Sequence, residues 1–384
     1  MLDIGSIDAA HSSQHPVPSL LEREIPHQLQ VLRAAGAQFR QPIAVLLERI
    51  AHRDVDDWVV TGCGDGLFAG ICAEVWFARL GGRRLRPMPA MHLSREAYPS
   101  LGSNSLVVAV SHSGTTARVL EAARAAQSRG AYVVALSAAP DSALAASADL
   151  FIDNTVHDEQ SNCRTSSFQA VALFLRMLAE AVAGNGPDST GLPLDRLAAY
   201  LTYAREQVDQ LSDAELFGEH WIFTGSGLGL AVAEYGKAKV YEAATIAAHC
   251  VELEQFIHCE IFTVGTGTTV VLVAPLGRAS SRARELADGL RTLGARTIAV
   301  TDDAELAARC THSLALPGGL GEDDMPFFAV VPLQWLALRL ARIRGDNPDV
   351  VHNKWVNRPL IDNSEQWGNE MYESTAMIPT PVQA

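Results

Sequence analysis

The stretch DWVVTGCGDGLFAG at 57–70 recurs, altered but recognisable, as HWIFTGSGLGLAVA at 220–233. Trp58 matches Trp221, Gly62 matches Gly225 and Gly64 matches Gly227, each 163 positions on. At the same offset SLVVAVSHSGTTARVLEAARA (105–125) parallels TTVVLVAPLGRASSRARELAD (268–288), with Gly114 opposite Gly277. One inserted residue later, AYVVALS (131–137) parallels ARTIAVT (295–301). Landmarks at nearly constant spacing mark an internal duplication, so the chain must fold as one supersecondary unit used twice.

Each copy reads as strand, glycine turn, long helix, strand, loop, helix, strand. LVVAV and YVVAL are unbroken apolar runs, which suit parallel strands covered on both faces. Patterns such as ARVLEAARAAQSRG alternate with them and end in glycine, a helix-stop signal. The expected fold class is therefore α/β, with two doubly wound, flavodoxin-like parallel-sheet domains in tandem. The boundaries expected are 40–185 and 205–345, with AGNGPDSTGLPLD (183–195) as the seam. Residues 1–39 form an N-terminal arm whose helical pattern continues to about 51, and 346–384 form a tail.

Composition narrows the partners. A hydrophobic share of 48% with 19% charged residues is that of a globular enzyme. The formal net charge of −14 argues against nucleic acid, because a phosphate backbone needs a basic face. It also requires that an anionic ligand be held by a local field, typically helix N-termini and backbone amides. Cys63, Cys72, Cys163, Cys250, Cys259 and Cys310 show no metal-finger or C-x-x-C spacing and read as free thiols of a reducing compartment. The polar, acidic N-terminus is unlike a signal peptide, and no apolar run reads as a membrane span. The expected location is cytoplasmic.

Ligands of open α/β sheets bind beyond the carboxyl ends of the strands. Ser111, His112, Ser113, Gly114, Thr115 and Thr116 fall there, between an apolar strand and a helix. Unpaired N–H groups and the positive end of the helix dipole favour an anion at that place. Hydroxyls of Ser111, Ser113 and Thr116 can donate to it, while Gly114 allows close backbone approach. No lysine follows the glycine, so this is not a nucleotide-triphosphatase loop. The fit is to one phosphomonoester gripped by amides and alcohols without a cationic clamp. The alternative is that Ser113 or Thr116 merely caps the helix. The second copy has Ala274, Pro275 and Leu276 in place of Ser-His-Ser, which implies one phosphate site per chain. The turn TGCGDG (61–66) also admits a dinucleotide reading. However, its spacing is G-x-G-x-G, and GGRRLRP stands where an acidic residue is needed. Gly64 and Asp65 are placed instead beside a sugar, with Asp65 accepting from its hydroxyls.

The turn GCGDGLFAG, the loop SHSGTT and the tract EQSNCRTSSF together resemble the sugar isomerase (SIS) domain. The doubled arrangement resembles the isomerase half of glucosamine-6-phosphate synthase over about residues 40–358. In EYGKAKVYEAATIAAHCVELEQFIHCE (234–260) the resemblance places Glu242 on the family's proton-transferring carboxylate. It places His258 on the ring-opening histidine supplied by a neighbouring subunit, and Lys239 on a lysine beside the site. It places Lys354, in HNKWVN, on the lysine that forms an imine with a ketose. Ser111, Ser113 and Thr116 match the phosphate binders. His112 replaces a glutamine, Asp65 and Gly66 replace hydroxyl residues, and Cys259-Glu260 stands in place of Gly-Pro. From the start MLDIG, no glutaminase domain with an N-terminal cysteine nucleophile is expected.

Moving a carbonyl between C1 and C2 of a hexose phosphate needs a carboxylate to shuttle a proton, and an imidazole suits ring opening. Read from residues alone, Glu242 is an exposed helix glutamate, His258 a loop histidine and Lys354 a tail lysine. Thr165, Ser166 and Ser167 either contact sugar hydroxyls or cap the following helix. HDE (157–159) and EDD (322–324) read as loop acids or helix starts, and neither a metal nor another cofactor is expected. The resemblance implies an aldose–ketose isomerase or deaminase acting on a hexose 6-phosphate or amino-sugar phosphate as a homodimer. The alternatives are a deglycase of a phosphorylated ketosamine and a non-catalytic phosphosugar sensor.

Overall fold

The computed structural model describes residues 18–155, 159–186, 191–216, 218, 220–352 and 360–361. Helices α1 (Leu20–Glu24), α2 (Gln28–Gln38) and α3 (Arg40–Ile50) form the arm. The first repeat runs β1 (Asp57–Gly62), α4 (Asp65–Arg79), β2 (Leu85–Pro89), α5 (Ala90–His92), β3 (Ser105–Val110) and α6 (Ala117–Ser128). It continues through β4 (Tyr132–Ser137), α7 (Ala143–Ser147), β5 (Leu150–Asp153) and α8 (Ser166–Val182). Helices α9 (Leu194–Asp209) and α10 (Asp213–Leu216) lead to β6 (His220–Gly225), α11 (Leu228–Ala244), β7 (Ala248–Glu252) and α12 (Leu253–His258). The second repeat closes with β8 (Thr268–Val273), α13 (Ser280–Thr292), β9 (Arg296–Thr301), α14 (Ala304–Ala307), β10 (His312–Ala315) and α15 (Met325–Arg344).

The strands form two five-stranded sheets, β2-β1-β3-β4-β5 and β7-β6-β8-β9-β10. Every neighbouring pair is parallel, and the two orders correspond strand for strand. This is the doubly wound order whose switch point lies between the first and third strands. Both β3 and β8 are buried at every residue, which explains why they read as continuous apolar runs rather than alternating ones.

The glycine turns make the two copies alike in detail. Gly64 and Gly227 take φ of 54° and 55°, a region that favours glycine, and each immediately precedes a helix. A third pair appears at the same offset. A Cβ on Gly66 would lie 3.0 Å from Val110 Cγ1, and one on Gly229 would lie 2.4 Å from the carbonyl oxygen of Val273. The helix can therefore begin hard against the end of the neighbouring strand.

The molecule divides into two compact bodies, one of residues 41–155 and one of 18–40 with 159–352. The core of the first body joins Val59, Val107, Val133 and Ala135 of the sheet to Val119, Leu120 and Ala123 of α6. In the second, Ile222, Val270 and Leu272 meet Phe256, Leu286 and Leu290. Helix α8 belongs to the second body. There Gln28, Gln169 and Gln334, all fully buried, bond one another and the Tyr235 hydroxyl, joining α2, α8, α15 and α11. Helix α15 is long and apolar enough to match a membrane span, which the sequence reading did not pick out, but it is mostly buried as a core helix.

A substitution ranking tests the close turns. A Cβ on Gly225 would meet the Gly229 backbone at 2.5 Å, whereas one on Gly62 would meet Gly66 at 3.1 Å. Gly225→Ala is expected to destabilise by about 1–3 kcal/mol and Gly62→Ala by distinctly less, measured by denaturant unfolding. The reverse ranking would refute this packing.

Candidate active site

In the first body, the carboxyl ends of β1 and β3 present the glycine turn and the hydroxyl loop at the switch point. The loop is internally organised. Gly114 has φ of 62°, and its N–H donates to both the hydroxyl and the carbonyl of Ser111, each at 3.1 Å. A Cβ there would fall 2.0 Å from Ser142 Oγ, so only glycine fits. The Ser111 and Thr116 hydroxyls pair at 2.9 Å, as do those of Ser113 and Thr115. The His112 carbonyl accepts from the Ala138 N–H and the Ser137 hydroxyl, while its residue is exposed.

Thr116 occupies the N-cap position of α6, yet its side chain makes no capping bond. The bland reading of this loop, a hydroxyl spent on a helix cap, is thus not what Thr116 does. Ser113 does accept a local bond, from the Thr115 N–H at 3.3 Å. Gly64 shapes the turn before α4, and Asp65, half-buried, is the first residue of that helix. Desolvation pushes the neighbouring Cys63 thiol up, and the Arg118 guanidinium partly offsets it.

The corresponding loop of the second body is filled by the chain's own acids. The Leu276 N–H donates to Asp302 at 2.7 Å, and the Arg278 N–H donates to Glu322 at 2.8 Å. The Arg278 guanidinium also pairs with Glu322. A Cβ on Gly277, the counterpart of Gly114, would land 1.8 Å from a Glu322 oxygen. One member of the EDD tract is therefore an internal anion on this loop.

Glu242, Lys239 and His258 lie in the second body. Lys239 is fully buried on α11, its ammonium 2.7 Å from Glu242 Oε2 and 4.8 Å from the centre of the Tyr235 ring. Glu242 itself is partly open to solvent, its side chain 37% exposed. His258 ends α12 with a 67% exposed side chain, 3.3 Å from Glu254. Lys354 lies outside the described residues.

Thr165 and Ser166 begin α8, and here the sequence reading missed the principal group. Glu159, buried, accepts from the N–H groups of Thr165, Ser166 and Ser167 at 2.6, 2.8 and 3.2 Å. It also takes the hydroxyls of Thr165 at 2.8 Å and Ser167 at 2.5 Å. Burial alone would raise its pKa, but these bonds outweigh it and hold the carboxyl below the ordinary range. The Thr165 and Ser167 hydroxyls are thus committed to Glu159, whereas the Ser166 hydroxyl is buried without a hydrogen-bond partner among the described residues. Glu24 on α1 grips the same segment through the Gln160 and Ser161 N–H groups, and burial pushes its carboxyl up. No sequence motif signals Glu24. Glu159 is the last residue of the HDE tract, expected to hold loop acids or a helix start, and is a loop acid at the start of a helix, while residues 157 and 158 lie outside the described residues.

Comparison with known proteins places the chain. The SIS domain matches twice, at 53–181 and 218–344. The chain belongs to the SIS domain family. Glutamine–fructose-6-phosphate aminotransferase of Thermococcus kodakarensis is 25% identical over 346 residues, 88% of this chain and 57% of the relative. That of Corynebacterium efficiens is 28% identical over 372 residues, covering 90% and 59%. The chain thus spans little more than half the length of these curated relatives. Among solved structures, the C-terminal domain of the Francisella tularensis glucosamine-fructose-6-phosphate aminotransferase superposes with a TM-score of 0.75 at 20% identity, covering 86% of this chain and 98% of that one. Tagatose-6-phosphate ketose/aldose isomerase of Escherichia coli gives 0.75 at 20%, covering 88% and 98%. Glucosamine-6-phosphate deaminase of Thermotoga maritima gives 0.69 at 21%, covering 87% and 98%. These likenesses establish the SIS fold, present twice.

The depressed carboxyl of Glu159 has a pH signature. A group whose folded pKa is lowered adds stability above its unfolded value, near 4.5, and loses it as pH falls through the folded value. Glu159→Gln should cost about 1–3 kcal/mol at neutral pH. The gap to the native protein in thermal melts should narrow only in acid. A gap that is constant down to mildly acidic conditions and then unchanged at lower pH would contradict this.

Proposed function

We propose that this chain is an enzyme acting on a hexose 6-phosphate or an amino-sugar phosphate, coupling aldose–ketose isomerisation to loss or gain of an amine. The observation that carries this reading is the asymmetry of the two loops. The first offers paired hydroxyls and a helix N-terminus without a Thr116 side-chain cap, whereas the second is closed by Asp302 and Glu322. One phosphate per chain is expected, held by Ser111, Ser113, Thr116 and the first-turn amides of α6.

In this reading Glu242 is the base that carries the proton between C1 and C2. The buried Lys239 ammonium lies 2.7 Å from its Oε2 and orients it. His258, prominently exposed, would move the ring-oxygen proton of a sugar held by a second copy of the chain, which makes the working form a homodimer. Lys354 would form the imine with the open-chain ketose, taking an ammonium that must first lose its proton. A deglycase of a phosphorylated ketosamine would use the same carboxylate and histidine and dispense with that lysine. The relatives' printed names, a fructose-6-phosphate aminotransferase and an amino-sugar deaminase among them, support sugar-phosphate chemistry at this level.

A thermal-shift screen of hexose and amino-hexose 6-phosphates, followed by ammonia and ketose assays on any hit, tests the reading. Glu242→Gln is expected to lower turnover by about a hundredfold or more while the ligand-induced shift remains. Tight binding without turnover in the native protein would make it a sensor, and full activity in Lys354→Ala would favour the deglycase.

A further inference from the structure

We propose that Tyr235 is a positioning residue for proton transfer: the face of its buried ring holds the Lys239 ammonium, and through it the Glu242 carboxylate, where the reaction needs them. The inference rests on the reading of Glu242 as the base given above.

Tyr235, Lys239 and Glu242 stand at i, i+4 and i+7 on α11, so helical spacing puts them on one face. Side chains of a helix lean back toward its N-terminus, which carries a lysine over the residue one turn earlier. The Lys239 Nζ accordingly lies 4.8 Å from the centre of the Tyr235 ring, and it is 2.7 Å from Glu242 Oε2. Tyr235 and Lys239 are fully buried, whereas the Glu242 side chain is 37% exposed. The ladder thus runs from the interior to a carboxylate that a substrate can reach. A buried ammonium is costly unless its surroundings answer the charge, and the negative face of an aromatic ring does so. The ring takes up no N–H donor in doing this, unlike a second carboxylate, which would compete with Glu242.

The ring itself has little freedom. Its hydroxyl donates to the Arg164 carbonyl at 2.9 Å and accepts from the Gln334 amide at 2.8 Å. Gln334 exchanges hydrogen bonds of 2.7 and 2.9 Å with Gln28. The Phe168 ring lies 4.4 Å away, tilted by 37°. Residues of α2, α8, α15 and the segment before α8 therefore fix the tilt and depth of one side chain. A base that returns a proton to the neighbouring carbon needs such fixing, because a misplacement of about 1 Å can cost about a hundredfold in rate.

The experiment separates the ring's charge distribution from its shape. Turnover of glucosamine 6-phosphate, and of fructose 6-phosphate with ammonia, is measured as kcat and KM. The proteins are the native chain, Tyr235→Phe, Tyr235→Leu and a protein carrying pentafluorophenylalanine at position 235. Fluorination reverses the ring's quadrupole with little change of shape, so a residue that only fills the core would not register it. Tyr235→Phe should keep kcat within about threefold of native, since the ring face remains. The fluorinated ring and Tyr235→Leu should each lower kcat about tenfold or more with KM within about twofold, because the phosphate grip draws on other residues. If Tyr235→Leu does not fold, the fluorinated protein and Tyr235→Phe carry the comparison. A fluorinated protein whose kcat equals that of Tyr235→Phe, or a loss borne by KM alone, would overturn the role of Tyr235 and leave the sugar-phosphate reading standing. A native chain that turns over neither substrate would overturn the enzyme reading and this role with it.

Discussion

Parallel strands all end on one edge of their sheet, and the helices that follow begin there with N–H groups that have no partner within the helix. How each helix start is satisfied organises this protein. Glu252 caps α12, Asp303 caps α14 and Ser142 caps α7. Glu159 takes three N–H groups at the start of α8. The loop before α13 is covered by Asp302 and Glu322. At α6 the pattern changes, because Thr116 turns its hydroxyl to Ser111 instead of to the helix. An acidic chain has carboxylates to spare for such ends, which makes a loop built from hydroxyls the informative case.

The duplication thus yields two similar frames with different chemistry. Glycines at 62, 64 and 66 and at 225, 227 and 229 recur because both helices start against a strand end, a demand of the backbone alone. The loops one strand away are free of that demand, and there the copies diverge. Ser-His-Ser in the first and Ala-Pro-Leu in the second are matched by an arginine held on a buried glutamate in one body and by an arginine occupied by a loop glutamate in the other.

The second body holds its proton-handling candidates by a different means. Tyr235 lies at the centre of a buried set: its hydroxyl donates to the Arg164 carbonyl and accepts from Gln334, and its ring lies 4.4 Å from that of Phe168. Lys239 approaches the ring of the same tyrosine, so the segment before α8 and the Lys239–Glu242 pair are tied to one side chain. A desolvated ammonium needs such company, since an isolated buried charge is costly. The arm takes part as well, through Gln28 in the amide set and Glu24 on the Gln160–Ser161 segment.

The sequence by itself determined the twofold repeat, the α/β class, the parallel strands and the place of the hydroxyl loop, because hydrophobic periodicity and glycine spacing are local properties that the chain carries wherever it goes. The tight turn at Gly114 was legible for the same reason. Only the tertiary structure decided what the polar side chains do. That Glu322 closes the second loop from 44 residues away, that Gln169 bonds Gln28 and that Gln334 bonds the Tyr235 hydroxyl are contacts between distant segments. A charged residue has the same letter whether it faces water, caps a helix or lines a site, and its role is set by the neighbours that folding brings to it.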